Sequence, residues 1–179
     1  MPSDKTVTIT SHTPRQTEEI GSLLGSMLAK GDIIALAGEL GTGKTTLVRG
    51  MARGIGLEEG EVASPSFTLV NEYAGGGLTK GSPSALAKGP LRLFHLDLYR
   101  LADEKELIGI DYEEYLQADG VVVIEWADRI PQAIPADALW ITLRYLGTER
   151  REMVLRSQGD RYKMMIEELQ RKVYTKLSL

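Results

Sequence analysis

An apolar run, DIIALA at residues 32–37, passes directly into the glycine-rich string GELGTGKTT at residues 38–46. The run does not alternate, as expected of a strand covered on both faces. The residues after the string carry Leu47, Val48 and Met51 at helical spacing up to about Ile55, and Gly56 closes the segment. Strand, tight loop and helix in that order commit the chain to an α/β arrangement. From Gly38 to Thr45 the loop fits G-x-x-x-x-G-K-[ST], the phosphate-binding Walker A pattern.

The residue types explain the chemistry. Glycines let successive backbone N–H groups converge on phosphate oxygens with no Cβ in the way. The helix N-terminus adds a partial positive charge. Lys44 is placed to neutralise β- and γ-phosphate charge, and the Thr45 hydroxyl to ligate Mg2+. A guanine-specific protein would carry N/T-K-x-D. The nearest string, TKGS at 79–82, has Ser82 in place of the aspartate, so the expected nucleotide is ATP.

The remaining elements read in alternation. TVTIT (6–10) is a short strand. Thr13 is an N-cap, followed by Pro14 and Gln16, and the helix is expected to run to about Ala29 with Ile20, Leu23, Leu24, Met27 and Leu28 on its apolar face. SFTLVNEY (66–73) and LRLFHLDLY (91–99) are expected strands. EKELIGI and DYEEYLQ are expected short helices, with Asp111 capping the second. GVVVIEW (120–126) is another buried strand, and 138–146 with 151–158 form an expected hairpin. A last helix, 160–176, places Tyr162, Met165, Ile166, Leu169 and Val173 on one face. The predicted fold is a three-layer sandwich of the P-loop nucleotide hydrolase kind around a mixed, mainly parallel sheet. Residues 1–159 form the P-loop domain, and the helix within 160–179 packs on it. Five of the seventeen residues 74–90 are glycine, and that segment is expected to be a flexible insertion.

Composition removes several classes. The 179 residues suit one domain. A net charge of −4 argues against a stand-alone nucleic-acid binder and gives no expectation of DNA as a partner. There is no cysteine, and His12 and His95 are the only histidines, so disulfides and Cys- or His-rich metal sites are excluded. No apolar run approaches the ~20 residues that span a bilayer, so no membrane is expected. The first residues, MPSDKTVTIT, lack the apolar region of a secretory signal. The cytoplasm is the expected compartment.

Phosphate chemistry needs a carboxylate at the end of a neighbouring strand, to hold the metal or order water. Asp97 closes LRLFHLD and Glu125 closes VVVIE, and either suits that task. Alternation puts Leu91, Leu93, His95 and Asp97 on one strand face, where His95 is placed to tune Asp97 or simply to pack. EVASPSFTLVNEY (61–73) follows the loop helix where a switch segment would lie, with Ser64, Ser66 and Thr68 offering hydroxyls.

Together the strings GELGTGKTTLVRGMARGIG, SPSFTLVNEY, FHLDLYRL, ELIGIDYEEYL and VIEWADRIP closely resemble the TsaE (YjeE) family, over residues from about 6 to 156. The glycine loop is widely shared. The order S-P-[TS]-[FY]-T-L-V, H-x-D-x-Y-R, I-E-W is specific. The resemblance implies a small, Mg-dependent ATPase, weak alone, of bacterial tRNA threonylcarbamoyladenosine biosynthesis. Its implied partners are the threonylcarbamoyl-transferase protein and that protein's paralogous partner, which together modify adenosine 37 of tRNAs reading ANN codons. The tRNA itself is an indirect partner. By motif, Leu40, Gly41, Thr42, Gly43, Lys44, Thr45 and Thr46 hold phosphate. Thr45 and Glu125 fall to magnesium, and Asp97 is the hydrolytic carboxylate beside Lys44. Ser64 to Phe67 matches the switch-like segment, and Trp126 a tryptophan near the nucleotide site. Thr17 matches a position near the base, and Arg150 one near the nucleotide. The stretch 74–90 is longer than the family's usual hairpin.

Two rivals differ in what they require. A small-molecule kinase needs a lid with several arginines; residues 74–90 offer Lys80 and Lys88 but no arginine. A nucleotide-gated binding module without hydrolysis would not need both Asp97 and Glu125.

Overall fold

The structure is a computed structural model that describes residues 4–57, 62–74 and 91–177. The expected insertion therefore lies, but for Ala74, outside the described residues. Among the described residues, seven strands form one sheet in the order β1-β7-β6-β2-β5-β4-β3. They are β1 (Lys5–Ser11), β2 (Ile33–Ala37), β3 (Val70–Ala74), β4 (Arg92–Asp97), β5 (Val121–Glu125), β6 (Leu139–Tyr145) and β7 (Arg151–Ser157). The four central strands, β6, β2, β5 and β4, run parallel, and β1, β7 and β3 pair antiparallel at the two sides.

Helices α1 (Pro14–Gly25), α2 (Lys44–Gly54) and α4 (Asp160–Lys176) cover one face. A 3₁₀ helix (Glu104–Ile110) and the short α3 (Tyr112–Leu116) cover the other, with Leu107 and Tyr112 packed on Phe94, Leu96, Val122 and Ile124. This is the three-layer α/β sandwich of a P-loop protein. Apolar residues of β2, β4 and β5 face both layers, which is why those strands read as continuous apolar runs.

Helix α1 braces α2 closely. A Cβ on Gly50 would stand 2.0 Å from the Glu18 carbonyl oxygen, and one on Gly21 would stand 2.3 Å from that of Leu47. Only glycine lets the two backbones meet at this crossing. Helix α4 buries Tyr162, Met165, Ile166, Leu169 and Val173 in the same core, the stripe that its spacing indicates. It is tethered to the start of β2, where the buried Asp32 accepts from both Nε and a terminal nitrogen of Arg161. Tyr162 Oη accepts from the Ile33 N–H at 2.8 Å.

Three local readings are corrected. Helix α1 stops at Gly25 rather than near Ala29, because the Asp32 carboxylate takes the Ala29 N–H at 2.7 Å and the intervening residues form turns. Strand β3 starts at Val70 rather than at 66, because Leu69 lies at φ 65° with its N–H on the Pro65 carbonyl. Asp111 does not cap α3 through its side chain. It sits at φ 53°, and the side-chain cap nearby is Asp103 Oδ1, accepting from Lys105 N–H. The Thr13 cap holds, accepting from Gln16 N–H at 3.1 Å.

Candidate functional site

The glycine loop leaves the C-terminal end of β2 and enters α2, with Gly41 at φ 77° and Gly43 at φ 99°. These are left-handed conformations that a Cβ opposes. The loop is clamped from outside by the β6–β7 hairpin. Tyr145 Oη donates to the Leu40 carbonyl at 2.6 Å, and Arg151 Nε to the Thr42 carbonyl at 3.1 Å. Arg151 also bonds the carbonyls of Gly147, Thr148 and Arg150 and lies 4.6 Å over the Tyr145 ring. Sequence reasoning missed both residues; their partners lie more than a hundred positions away.

Lys44 is the first residue of α2 and is buried. Its ammonium donates to the Gly38 and Glu39 carbonyls at 2.6 and 2.9 Å and rests 3.8 Å from the Trp126 ring centroid. Burial pulls its pKa below that of a free lysine, opposed by the charges of Glu125, Asp128 and Asp97. Trp126 reaches this position because its backbone turns at φ 58° straight after β5. Its other neighbour is Tyr99, 4.8 Å between ring centroids.

Two carboxylates face this lysine from the ends of adjacent parallel strands. Asp97 and Glu125 are partners in the β4–β5 register, and both are buried. Glu125 Oε1 accepts from the Thr45 hydroxyl at 2.8 Å and lies 2.8 Å from His95 Nε2. Asp97 Oδ2 accepts from the hydroxyls of Ser64 and Ser66, at 3.1 and 3.0 Å, and Oδ1 from the Tyr99 N–H at 2.8 Å. Strand alternation leaves His95 either to tune Asp97 or simply to pack; its ring nitrogen instead meets Glu125. The switch-like segment is brought to Asp97, and Phe67 within it is 84% exposed, with Arg100 4.3 Å over its ring.

The other site candidates are placed as follows. Thr42 is buried, its hydroxyl on the Glu39 carbonyl, while Leu40 is 74% exposed at the loop tip. Thr46 lies behind the loop, its Cβ 4.0 Å from where a Gly43 Cβ would stand. Thr17 is buried against Gly43, with its hydroxyl paired to Ser11 Oγ at 2.7 Å. Arg150 is exposed on the hairpin, and it is its neighbour Arg151 that touches the loop. A groove of about 660 Å3 opens beside the loop, between Gly38, Trp126 and the β6–β7 strands.

The donor set suits magnesium. Mg2+ is held through one or two protein oxygens plus phosphate oxygens and water, not by a dedicated protein cage. The Thr45 hydroxyl and Glu125 carboxylate supply that pair at the mouth of α2. Among the described residues there is no group of three or more His, Cys, Asp and Glu that would hold a metal without phosphate. Among the described residues no helix is long and apolar enough to cross a membrane.

Comparison with known proteins gives the family. The family model described as threonylcarbamoyl adenosine biosynthesis protein TsaE matches residues 11–153. The tRNA threonylcarbamoyladenosine biosynthesis protein TsaE of Bacillus subtilis is 37% identical over 158 residues, covering 88% of this chain and 90% of the relative. The protein of the same name from Treponema pallidum is 34% identical over 145 residues, covering 81% and 96%. The crystal structure of Bacillus subtilis YdiB superposes with a TM-score of 0.73 at 32% identity, covering 96% of this chain and 98% of that one. With the loop, the paired acids and the specific order of motifs in one site, the chain belongs to the TsaE family.

Proposed function

We propose that this chain binds and hydrolyses ATP for the machinery that forms threonylcarbamoyladenosine at position 37 of tRNA. It acts with the threonylcarbamoyl-transferase protein and its paralogous partner, and meets tRNA through them. Family membership supports the pathway. The observation that carries the chemistry is the pair of buried acids, in register, facing Lys44 and Thr45.

Each residue then has a task. The backbone from Leu40 to Thr46 cradles phosphate, and Lys44 neutralises it. Thr45 and Glu125 would hold magnesium, which would draw charge from the phosphate oxygens when bound. Asp97 accepts a hydrogen bond from the attacking water and aligns it on the γ-phosphorus. Thr17 and Arg150 stand at the margins of the nucleotide.

The Lys44 ammonium donates to carbonyls of its own loop and Asp97 accepts from two serines of the switch-like segment, so the loop and that segment share the site with the phosphate and the attacking water. Weak turnover alone and acceleration by the partner proteins are part of the proposal. The test is replacement of the natural gene product in depleted cells, followed by nucleoside analysis of tRNA. Wild-type protein restores threonylcarbamoyladenosine and Asp97→Asn does not; restoration by both would refute the proposal.

A further inference from the structure

We infer that His95 is a positioning residue for the magnesium-side carboxylate. This rests on the reading of Thr45 and Glu125 as the metal side of the site. His95 is completely buried in β4, across from Val123 of β5 and Asn71 of β3. Its Nε2 lies 2.8 Å from Glu125 Oε1, the same oxygen that accepts from Thr45. A carboxylate oxygen only accepts, so the ring carries its proton on Nε2. The other ring nitrogen, Nδ1, has no partner among the described residues.

A buried polar atom left unpaired costs stability, so a histidine is a poor choice for filling this space. Leucine or valine, which fill the neighbouring positions, would pack without that cost. The ring is explained by its one hydrogen bond. With Thr45 donating from α2 and His95 from β4, Oε1 is fixed from two directions by groups on different elements. The carboxylate plane is thereby set before any ion arrives. Were Thr45 and Glu125 to hold magnesium, the His95 bond would remain to keep the Glu125 carboxylate from turning toward the Lys44 ammonium. Groups that orient a metal's ligands in this way typically contribute about 10–100-fold to metal affinity.

The geometry selects the variants. A glutamine amide reaches the place of Nε2, whereas an asparagine amide reaches only that of Nδ1. Binding of a non-hydrolysable ATP analogue is titrated against Mg2+ for wild type, His95→Gln and His95→Asn, with a thermal melt of each. The expected result is a rise of about 10–100-fold in the Mg2+ needed by His95→Asn, near-wild-type behaviour of His95→Gln, and unchanged affinity for all three in EDTA. An unshifted Mg2+ requirement in His95→Asn overturns the inference, as does an equal loss of metal-free affinity in both variants. Wild-type binding that ignores Mg2+ would instead sink the metal-side reading itself. If neither variant folds, nitrogen NMR of the wild-type ring decides. A protonated Nε2 and bare Nδ1, perturbed on adding Mg2+ with the analogue, supports the positioning role, and a protonated Nδ1 overturns it.

Discussion

Asp97 and Glu125 stand in register on adjacent parallel strands, yet their oxygens are held by different parts of the chain. Glu125 is tied to Thr45 at the mouth of α2, and Asp97 to Ser64 and Ser66 in the segment before β3. The hydroxyl on Glu125 comes from the phosphate loop and the two hydroxyls on Asp97 from the switch-like segment. On the proposed function, that division would separate metal binding from water activation.

Glu125→Gln and Asp97→Asn are therefore expected to differ. Glu125→Gln should weaken the magnesium dependence of nucleotide binding. Asp97→Asn should bind normally and lose about 10²–10⁴-fold in turnover, the usual worth of a positioned acid or base. Calorimetric titration beside single-turnover kinetics checks both, and identical phenotypes would refute the division.

Lys44→Ala should lose Mg-ATP affinity and also melt earlier. Its ammonium satisfies two loop carbonyls, so the loss is about 1–3 kcal/mol of stability. Burial lowers the Lys44 pKa, so the folded chain releases this proton at a pH where the unfolded chain, with its ordinary lysine near 10.5, still holds it. Between the lowered value and 10.5 the unfolded state binds more protons, and the contribution of this group to stability rises with pH. Phosphate favours the charged amine, so nucleotide affinity should fall as pH rises through the same window, with proton uptake on binding. Titration in two buffers of different ionisation heat measures that uptake, and Lys44→Ala should abolish it.

The hairpin clamp gives a second-site test of loop geometry. Tyr145→Phe removes one bond to the Leu40 carbonyl and should cost about 0.5–1.5 kcal/mol in nucleotide binding, up to roughly tenfold. Arg151→Ala should cost more, since its guanidinium joins Thr42 to the carbonyls of the hairpin. Wild-type affinity in both variants would mean that the loop holds its shape unaided.

Arg161→Ala should destabilise the fold by about 1–3 kcal/mol with no change in nucleotide affinity, because it leaves the buried Asp32 short of its charged donor far from the loop. Thermal melts with and without nucleotide check this. A variant that melts normally but loses partner-stimulated turnover would make α4 a docking helix instead of a structural one.

The phosphate loop was legible because its signal is local: nine consecutive residues, with a strand before and a helix after. The paired acids were legible for the same reason, each closing an apolar run. What crosses the sheet was not. Alternation along β4 puts His95 beside Asp97, but the register to β5 brings Glu125 within its reach, and no spacing in one strand reveals that neighbour. Tyr145 and Arg161 find partners 105 and 129 positions away, through hairpin and helix docking that only the assembled sheet supplies. The false start of β3 has a backbone cause. Leu69 takes a left-handed conformation that its residue type disfavours, so the extended pattern SFTLV misleads.

Phosphate release by the purified chain, with and without the two transferase proteins and tRNA, tests the central claim most directly. The account expects slow, magnesium-dependent release alone, clear acceleration by the complex, and loss of both in Asp97→Asn. Release that the complex leaves unchanged, or that persists at the wild-type rate in Asp97→Asn, would contradict it.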